Sequence, residues 1–167
     1  MFSVSKSVQQ VAALPFTLGE AGIEVMLVTA RKRADGQKRK GHRWVLPKGW
    51  PLRREALATT AAREAHEEAG VLGPVHETPV GTYRYRKSMK RGYEVDSCVV
   101  VFALHVHEVQ ESWRERAQRE RRWMPLDDAA ETLDDRGAAR LVAGLGDGAA
   151  LQTILAELRV DAAAGSA

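Results

Sequence analysis

The sequence predicts a sandwich of the α/β or α+β class, and three observations carry that prediction. Apolar, β-branched runs alternate with stretches of helical character from residue 8 onward. A mostly helical region closes the chain, from Leu126 to Val160. Of its 167 residues, 44% are apolar and 28% charged. That length favours one domain, 1–167 with its core at about 8–160. That composition argues against a disordered or fibrous chain.

The elements follow in order. Val8–Phe16 is largely apolar and reads as a strand with Pro15 near its end. Ile23–Ala30 (IEVMLVTA) is rich in Val, Ile and Leu and reads as a buried strand. Arg31–Gly41 is a basic loop around the turn signal Asp35-Gly36. Trp44-Val45-Leu46 is a short strand stopped by Pro47. Pro51 suits a first helical turn, and the spacing predicts a helix to about Ala69, closed by Gly70. Val75–Arg86 and Tyr93–Val109 read as strands joined by the basic turn Lys87–Gly92. Trp113–Arg122 is too charged to assign to either type, and Trp123-Met124-Pro125 reads as a short strand. Leu126–Val160 carries helical signals interrupted at Gly137 and at Gly144–Gly148, and 161–167 is expected to fray.

No run approaches the ~18 apolar residues of a membrane span. The longest strongly apolar stretch is Cys98–Leu104, and Met1–Gln10 is too polar for a secretory signal. Cys98 is the one cysteine, so it forms no internal disulfide; a reducing, cytoplasmic setting and a buried, inert thiol are expected.

Net charge is only +3, but it is polarised along the chain. Between Arg31 and Arg54 only Asp35 is acidic among many lysines and arginines, and Arg84–Arg91 is a second basic run. From Asp127 onward acids outnumber arginines. The basic stretches read either as solvated loops or as a surface for a polyanionic partner.

The chemistry concentrates in Gly49–Val71, GWPLRREALATTAAREAHEEAGV. At about 100° per residue, Glu64, Glu67 and Glu68 share an arc of about 100°, next to a face of Ala58, Ala61, Ala62, Ala65 and Ala69. Small residues let a helix approach a sheet closely, which holds its acids rigidly. Clustered carboxylates repel one another, and a divalent cation relieves that. Oxygen donors suit Mg2+ or Mn2+, and no His/Cys set points to zinc. His66 falls on the far side of the helix, at roughly −160° from Glu64. His105 and His107 share one strand face. A plain solvated acidic face is the alternative. Against it, Arg63 compensates Glu67 at i, i+4 while no lysine compensates Glu64 or Glu68 at that spacing. The turn at Lys48-Gly49 also offers carbonyl ligands.

This segment resembles a Nudix box, G-x5-E-x7-R-E-U-x-E-E-x-G-U with U aliphatic. Gly49, Glu55, Arg63, Glu64, Glu67, Glu68, Gly70 and Val71 match in register, and Ala65 is small where a bulkier aliphatic is usual. The resemblance implies a Nudix-type α/β/α sandwich with a central mixed sheet. It implies a hydrolase that cuts a nucleoside diphosphate linked to another group, or a related phosphoanhydride, with Mg2+ or Mn2+. By position, Glu67 and Glu68 would be metal ligands, and Glu64 a ligand or the base that activates water. The Lys48 carbonyl would be a further ligand, and Glu55 and Arg63 would orient the acids through a salt bridge. A downstream carboxylate would come from Glu115 first and Glu120 second.

The stretch RWVLPKGWP narrows the substrate. Its PKG triplet resembles diadenosine tetraphosphate hydrolases. The wider pattern of Thr29–Arg31, Arg43-Trp44, PKGW and a basic hairpin is similar to diphosphoinositol polyphosphate phosphohydrolases and their bacterial relatives. A polyphosphorylated small molecule is therefore the expected partner, either diphosphoinositol or dinucleoside polyphosphate. Arg31, Arg43, Lys48, Arg84 and Arg86 are the candidate phosphate contacts, and Trp50 the candidate stacking residue. A nucleic-acid-binding or regulatory module without catalysis, and an RNA 5′-pyrophosphohydrolase, are the alternatives; no RNA-binding signature is apparent.

Overall fold

A computed structural model describes residues 7–31 and 42–165. The turn expected at Asp35-Gly36 and the rest of the basic loop beyond Arg31, residues 32–41, lie outside them. The strands are β1 (Ser7–Gly19), β2 (Gly22–Thr29), β3 (Trp44–Val45), β4 (Lys48–Gly49), β5 (Val71–Leu72), β6 (Gly81–Ser88), β7 (Glu94–His105), β8 (Glu108–Val109) and β9 (Arg121–Pro125). The helices are α1 (Leu57–Glu64), continued by a π-helical turn over Ala65–Ala69, then α2 (Leu126–Thr132), α3 (Arg136–Ala143) and α4 (Ala149–Gly165).

The sheet runs β3-β2-β1-β7-β6, with β4 added on β1 and β9 on β2. It is mixed, as expected: β1 and β7 pair in parallel from Ser7↔Asp96 to Phe16↔His105. The β1–β2, β2–β9 and β6–β7 pairs are antiparallel. Strands buried on both faces read as continuous apolar runs, and the alternation here shows why. Ala12, Leu14 and Phe16 of β1, with Val25, Leu27, Val99 and Val101, face one core closed by α2, α3 and α4. Val11 and Ala13, with Met26, Val28, Val100 and Phe102, face a second core closed by Ala61, Ala65 and Ala69. The helices therefore cover both faces, which makes the sandwich three-layered. Ala61, Ala65 and Ala69 are wholly buried, so the small-residue face does pack on the sheet.

Several boundaries differ from expectation for identifiable reasons. The helix starts at Leu57 rather than Pro51. Before it, Glu55 N–H donates to the Leu52 carbonyl, Leu52 N–H donates to Glu55 Oε1, and Arg54 takes φ 64, so the chain turns before it can coil. The strand expected from Val75 begins only at Gly81, because Pro79 interrupts it; Val75 makes a single bridge to Leu104. The strand expected over Tyr93–Val109 splits after His105. There Gly73 crosses it so closely that a Cβ would lie 1.8 Å from the His105 carbonyl oxygen. Val71 and Leu72 then pair with Val109 and Glu108 in a separate two-stranded sheet.

Gly137 does not break the helical region but lies inside α3. The Ala-rich end stays helical to Gly165 instead of fraying from 161, as alanine favours helix most. Cys98 is only half-buried, on β7 between Gln9 and Arg84. His105 and His107 meet edge to face at 4.8 Å. Among the described residues, no helix is long and apolar enough to cross a membrane.

The close approach of α1 to the sheet sets a limit that can be measured. Ala61→Leu adds volume where none is free and is expected to cost about 1–3 kcal/mol. A urea titration that gave the variant the wild-type midpoint would contradict this packing.

Candidate active site

The site is built at the end of the alanine-faced helix. Gly70 closes the π-helical turn in the left-handed region, at φ 65. A Cβ there would lie 2.8 Å from the Trp113 side chain, so glycine is required on both counts. The carbonyls left open by the ending helix are all taken by the segment that follows β8. Glu115 N–H donates to the Glu67 carbonyl, Trp113 Nε1 to that of Glu68, Arg121 to that of Ala69, and Gln110 N–H to that of Gly70. These bonds bring Glu115 beside the helical acids. The i→i+5 geometry of this turn, a form that recurs at functional sites, carries both Glu67 and Glu68.

Each acid is held by arginine. Arg63 reaches Glu55 (3.0 Å), Glu64 (2.8 Å) and Glu67 (3.7 Å), so the expected Glu55–Arg63 salt bridge is present. Arg63 also donates to the Trp50 carbonyl. Arg114 holds Glu67 at 2.9 Å. Arg119, only 9% exposed, binds Glu68 at 3.1 Å and Glu115 at 3.2 Å. Arg31 lies 3.6 Å from Glu115. Guanidinium groups thus stand among the carboxylates. No three His, Cys, Asp or Glu side chains among the described residues form a ready-made cation cage.

Glu64 and Glu68 are buried. Burial pushes the Glu68 carboxyl up to about 8, with Arg119 pulling it down and Glu64 and Glu115 pushing it further up. Burial likewise raises Glu64, opposed by Arg63 and reinforced by Glu67 and Glu115. Gly49 makes room for Glu64: a Cβ there would sit 2.1 Å from Glu64 Oε1. Glu68 Oε2 accepts from the Lys48 backbone N–H at 3.2 Å. Glu64, Glu67, Glu68 and Glu115 thus gather hard oxygen donors, two of them buried and raised in proton affinity, a set that fits a divalent ion.

A cleft of 540 Å³ opens beside Glu68. Among the described residues seven cationic side chains line it, Arg31, Arg43, Lys48, Arg86, Lys87, Arg119 and Arg136, against three acids, Glu68, Asp134 and Asp135. The acidic C-terminal region packs on the core and supplies two of those acids. Asp134 holds Arg43 at 2.7 Å and Asp135 lies 3.9 Å from Lys48. Asp135 stands at the start of α3 but makes no capping bond there. Burial lowers the Lys48 ammonium, against the attraction of Asp135 and Glu68. Its Nζ also sits 5.2 Å above the Tyr85 ring.

Of the expected phosphate contacts, Arg31, Arg43, Lys48 and Arg86 line this cleft. Arg84 does not; its side chain alternates away and lines a separate groove beside α3. Trp50 is also absent from the lining, exposed at the surface with Lys87 Nζ 5.6 Å from its ring. Glu120 pairs with exposed His42 instead of joining the acids. His66 contacts Gln110, away from the acids as expected. Arg119, Asp134, Asp135 and Arg136 were not visible as site residues. Only Glu115–Arg119 carried a local signal, the favourable i, i+4 order of acid before base.

A family model of the NUDIX domain matches residues 8–145. The chain is 38% identical over 114 residues to Nudix hydrolase 12, mitochondrial, of Arabidopsis thaliana, covering 65% of this chain and 51% of that protein. It is 30% identical over 112 residues to diphosphoinositol polyphosphate phosphohydrolase 2 of Rattus norvegicus, covering 66% and 54%. The chain therefore spans about half the length of these curated relatives. Among solved structures it is similar to the Ap4A hydrolase of C. elegans in a binary complex. The TM-score is 0.58 at 20% identity, covering 81% of this chain and 93% of that one, a likeness of fold alone.

The arginine clamp gives a measurable pH dependence. Hydrogen bonds from Arg63 and Thr60 hold the Glu55 carboxyl down at about 2, against an ordinary 4.5. A depressed carboxyl adds stability above its unfolded value, and that contribution fades as the pH falls from 4.5 toward 2. Glu55→Gln is expected to flatten the loss of stability between about pH 5 and pH 3. Identical urea midpoints for variant and wild type across that range would contradict the clamp.

Proposed function

The chain belongs to the NUDIX family, and from that premise we propose that it is a metal-dependent pyrophosphohydrolase acting on a polyphosphorylated small molecule. One observation supports the reading above others: buried Glu68 joins the carboxylate cluster to a cleft where, among the described residues, cations outnumber acids. The acids fit a hard divalent cation, and the surplus of Arg and Lys fits several phosphate groups.

Glu67 and Glu68 would hold Mg2+ or Mn2+, with the Lys48 carbonyl and Glu115 as further donors. Such an ion neutralises phosphate charge and makes bound water more acidic. Glu64, whose burial raises its affinity for protons, takes the proton of the attacking water. Arg63 fixes the Glu64 carboxylate and is itself fixed by Glu55. Arg31, Arg43, Lys48 and Arg86 bind phosphate oxygens, and Asp134 and Asp135 hold two of these cations in place. Positioning and electrostatics of this kind supply most of the catalysis in phosphoryl transfer. The water oxygen bonds to phosphorus, the bridging P–O bond breaks, and two phosphorylated products leave.

Diphosphoinositol and dinucleoside polyphosphates are the favoured substrates, since a net positive cleft rewards phosphate number. The single cysteine, half-buried and unpaired, favours a reducing setting such as the cytoplasm.

A substrate panel with Mg2+ tests the reading: a diphosphoinositol phosphate, a dinucleoside polyphosphate and a capped oligonucleotide. Cleavage of one of the first two is expected. Preference for the oligonucleotide would assign an RNA 5′-end activity, and no cleavage of any would favour a binding module. Glu67→Gln and Glu68→Gln are each expected to lower turnover by at least about 10²–10³-fold with the circular dichroism spectrum kept. Normal hydrolysis by either variant would contradict the assignment.

A further inference from the structure

A second basic groove lies beyond the cleft. It occupies 640 Å³ between β6 and α3 and carries Arg84, Arg136 and Arg140, with no acid in its lining among the described residues. We propose that this groove is a distal anion subsite, taking phosphate groups of a polyphosphorylated ligand remote from the bond that is cut. The proposal rests on the hydrolase reading for the bond but on separate residues for the subsite.

Three observations carry it. First, the three arginines are exposed, and among the described residues none makes an ion pair or side-chain hydrogen bond. The cleft arginines behave differently: Arg43 is bound to Asp134, Arg86 to Glu94, and Arg119 to Glu68 and Glu115. The acids that precede Arg136 in the chain are already committed, Asp134 to Arg43 and Asp135 to Lys48. Second, the arginines are brought together by close packing. A Cβ on Gly137 would lie 2.9 Å from Tyr83 Cβ and 3.1 Å from the Arg84 carbonyl oxygen. The start of α3 therefore rests directly on β6, which sets Arg136 and Arg140, one helical turn apart, against Arg84. Like charges at i, i+4 disfavour the helix that carries them, and a bound anion reverses that sign. Third, the groove continues the cleft. Arg136 lines both, so a ligand seated beside Glu68 meets the three arginines by extending along one wall.

Charge on an edge strand has another use, since it discourages edge-to-edge pairing. β6 is such an edge, hydrogen-bonded among the described residues to β7 alone. The two roles give different results in one experiment.

The full chain is titrated calorimetrically, without metal, with two probes: inositol hexakisphosphate and inorganic pyrophosphate. In the double variant Arg84→Gln, Arg140→Gln, affinity for the hexakisphosphate is expected to fall about five- to twenty-fold, with a shallower salt dependence. Affinity for pyrophosphate is expected to change less than about two-fold, because a short anion does not span both grooves. An equal loss for both probes would assign the arginines to a long-range field and overturn the subsite. No loss for either, with self-association of the variant by light scattering, would assign them to edge protection and overturn it too. Should the double variant unfold, Arg140→Gln alone, on an exposed helix face, gives the same change of ratio in smaller measure. Because the binding measurement needs no turnover, a wild-type chain that cut no anhydride would remove the hydrolase reading while the affinity ratio still judged the subsite.

Discussion

The structure depends on holding mutually repelling carboxylates together in a partly buried place. Glu64, Glu67, Glu68 and Glu115 are drawn to one end of a helix, and Glu64 and Glu68 are out of water. Unscreened, such a cluster would neutralise itself by taking up protons or push its residues apart. Arg63 and Arg119 oppose both by each bridging more than one acid, although burial still leaves Glu64 and Glu68 with raised proton affinity. Arg119 is about as buried as the two carboxylates it bridges, so solvent competes little for either partner. Held in this way, the carboxylates gather hard oxygen donors of the kind a divalent ion takes, and Glu68 presents that cluster to the cleft.

Rigid placement of the acids follows from how little space separates helix and sheet. Alanines at 61, 65 and 69 bring the helix axis down onto β1, β2 and β7. Gly49 lets β4 slide against the Glu64 carboxylate, and Gly70 ends the helix where Trp113 and Arg121 can close it. Arg121 stacks 3.8 Å from the centre of the Trp113 ring while bonding two backbone carbonyls. At Gly49 and Gly70 a Cβ would collide with Glu64 and with Trp113 and Arg121. The glycines of the acidic segment are thus geometric requirements of the cluster.

The fold class was legible because β1, β2 and β7 are buried on two faces and so present unbroken apolar runs. Glu64, Glu67 and Glu68 were legible as a cluster because they lie within one stretch of helix, where spacing alone sets direction. The start of that helix was misplaced because Pro51 is compatible with a first turn, and nothing local reveals that Leu52 and Glu55 close a turn of their own. Arg119 was missed because its bond to Glu68 spans 51 residues, and Asp134 because its bond to Arg43 spans 91. Such pairs have no periodicity to betray them. Arg84 was grouped with the cleft cations but lines a different groove, since a run of basic residues on a strand does not say which side chains share a wall.

Central to the account is that this carboxylate cluster, rather than some other oxygen set, receives a divalent cation. Anomalous diffraction from crystals soaked in Mn2+ tests it most directly. The account expects a manganese peak in contact with the side-chain oxygens of Glu67 and Glu68. A peak elsewhere, or none at saturating manganese, would contradict it.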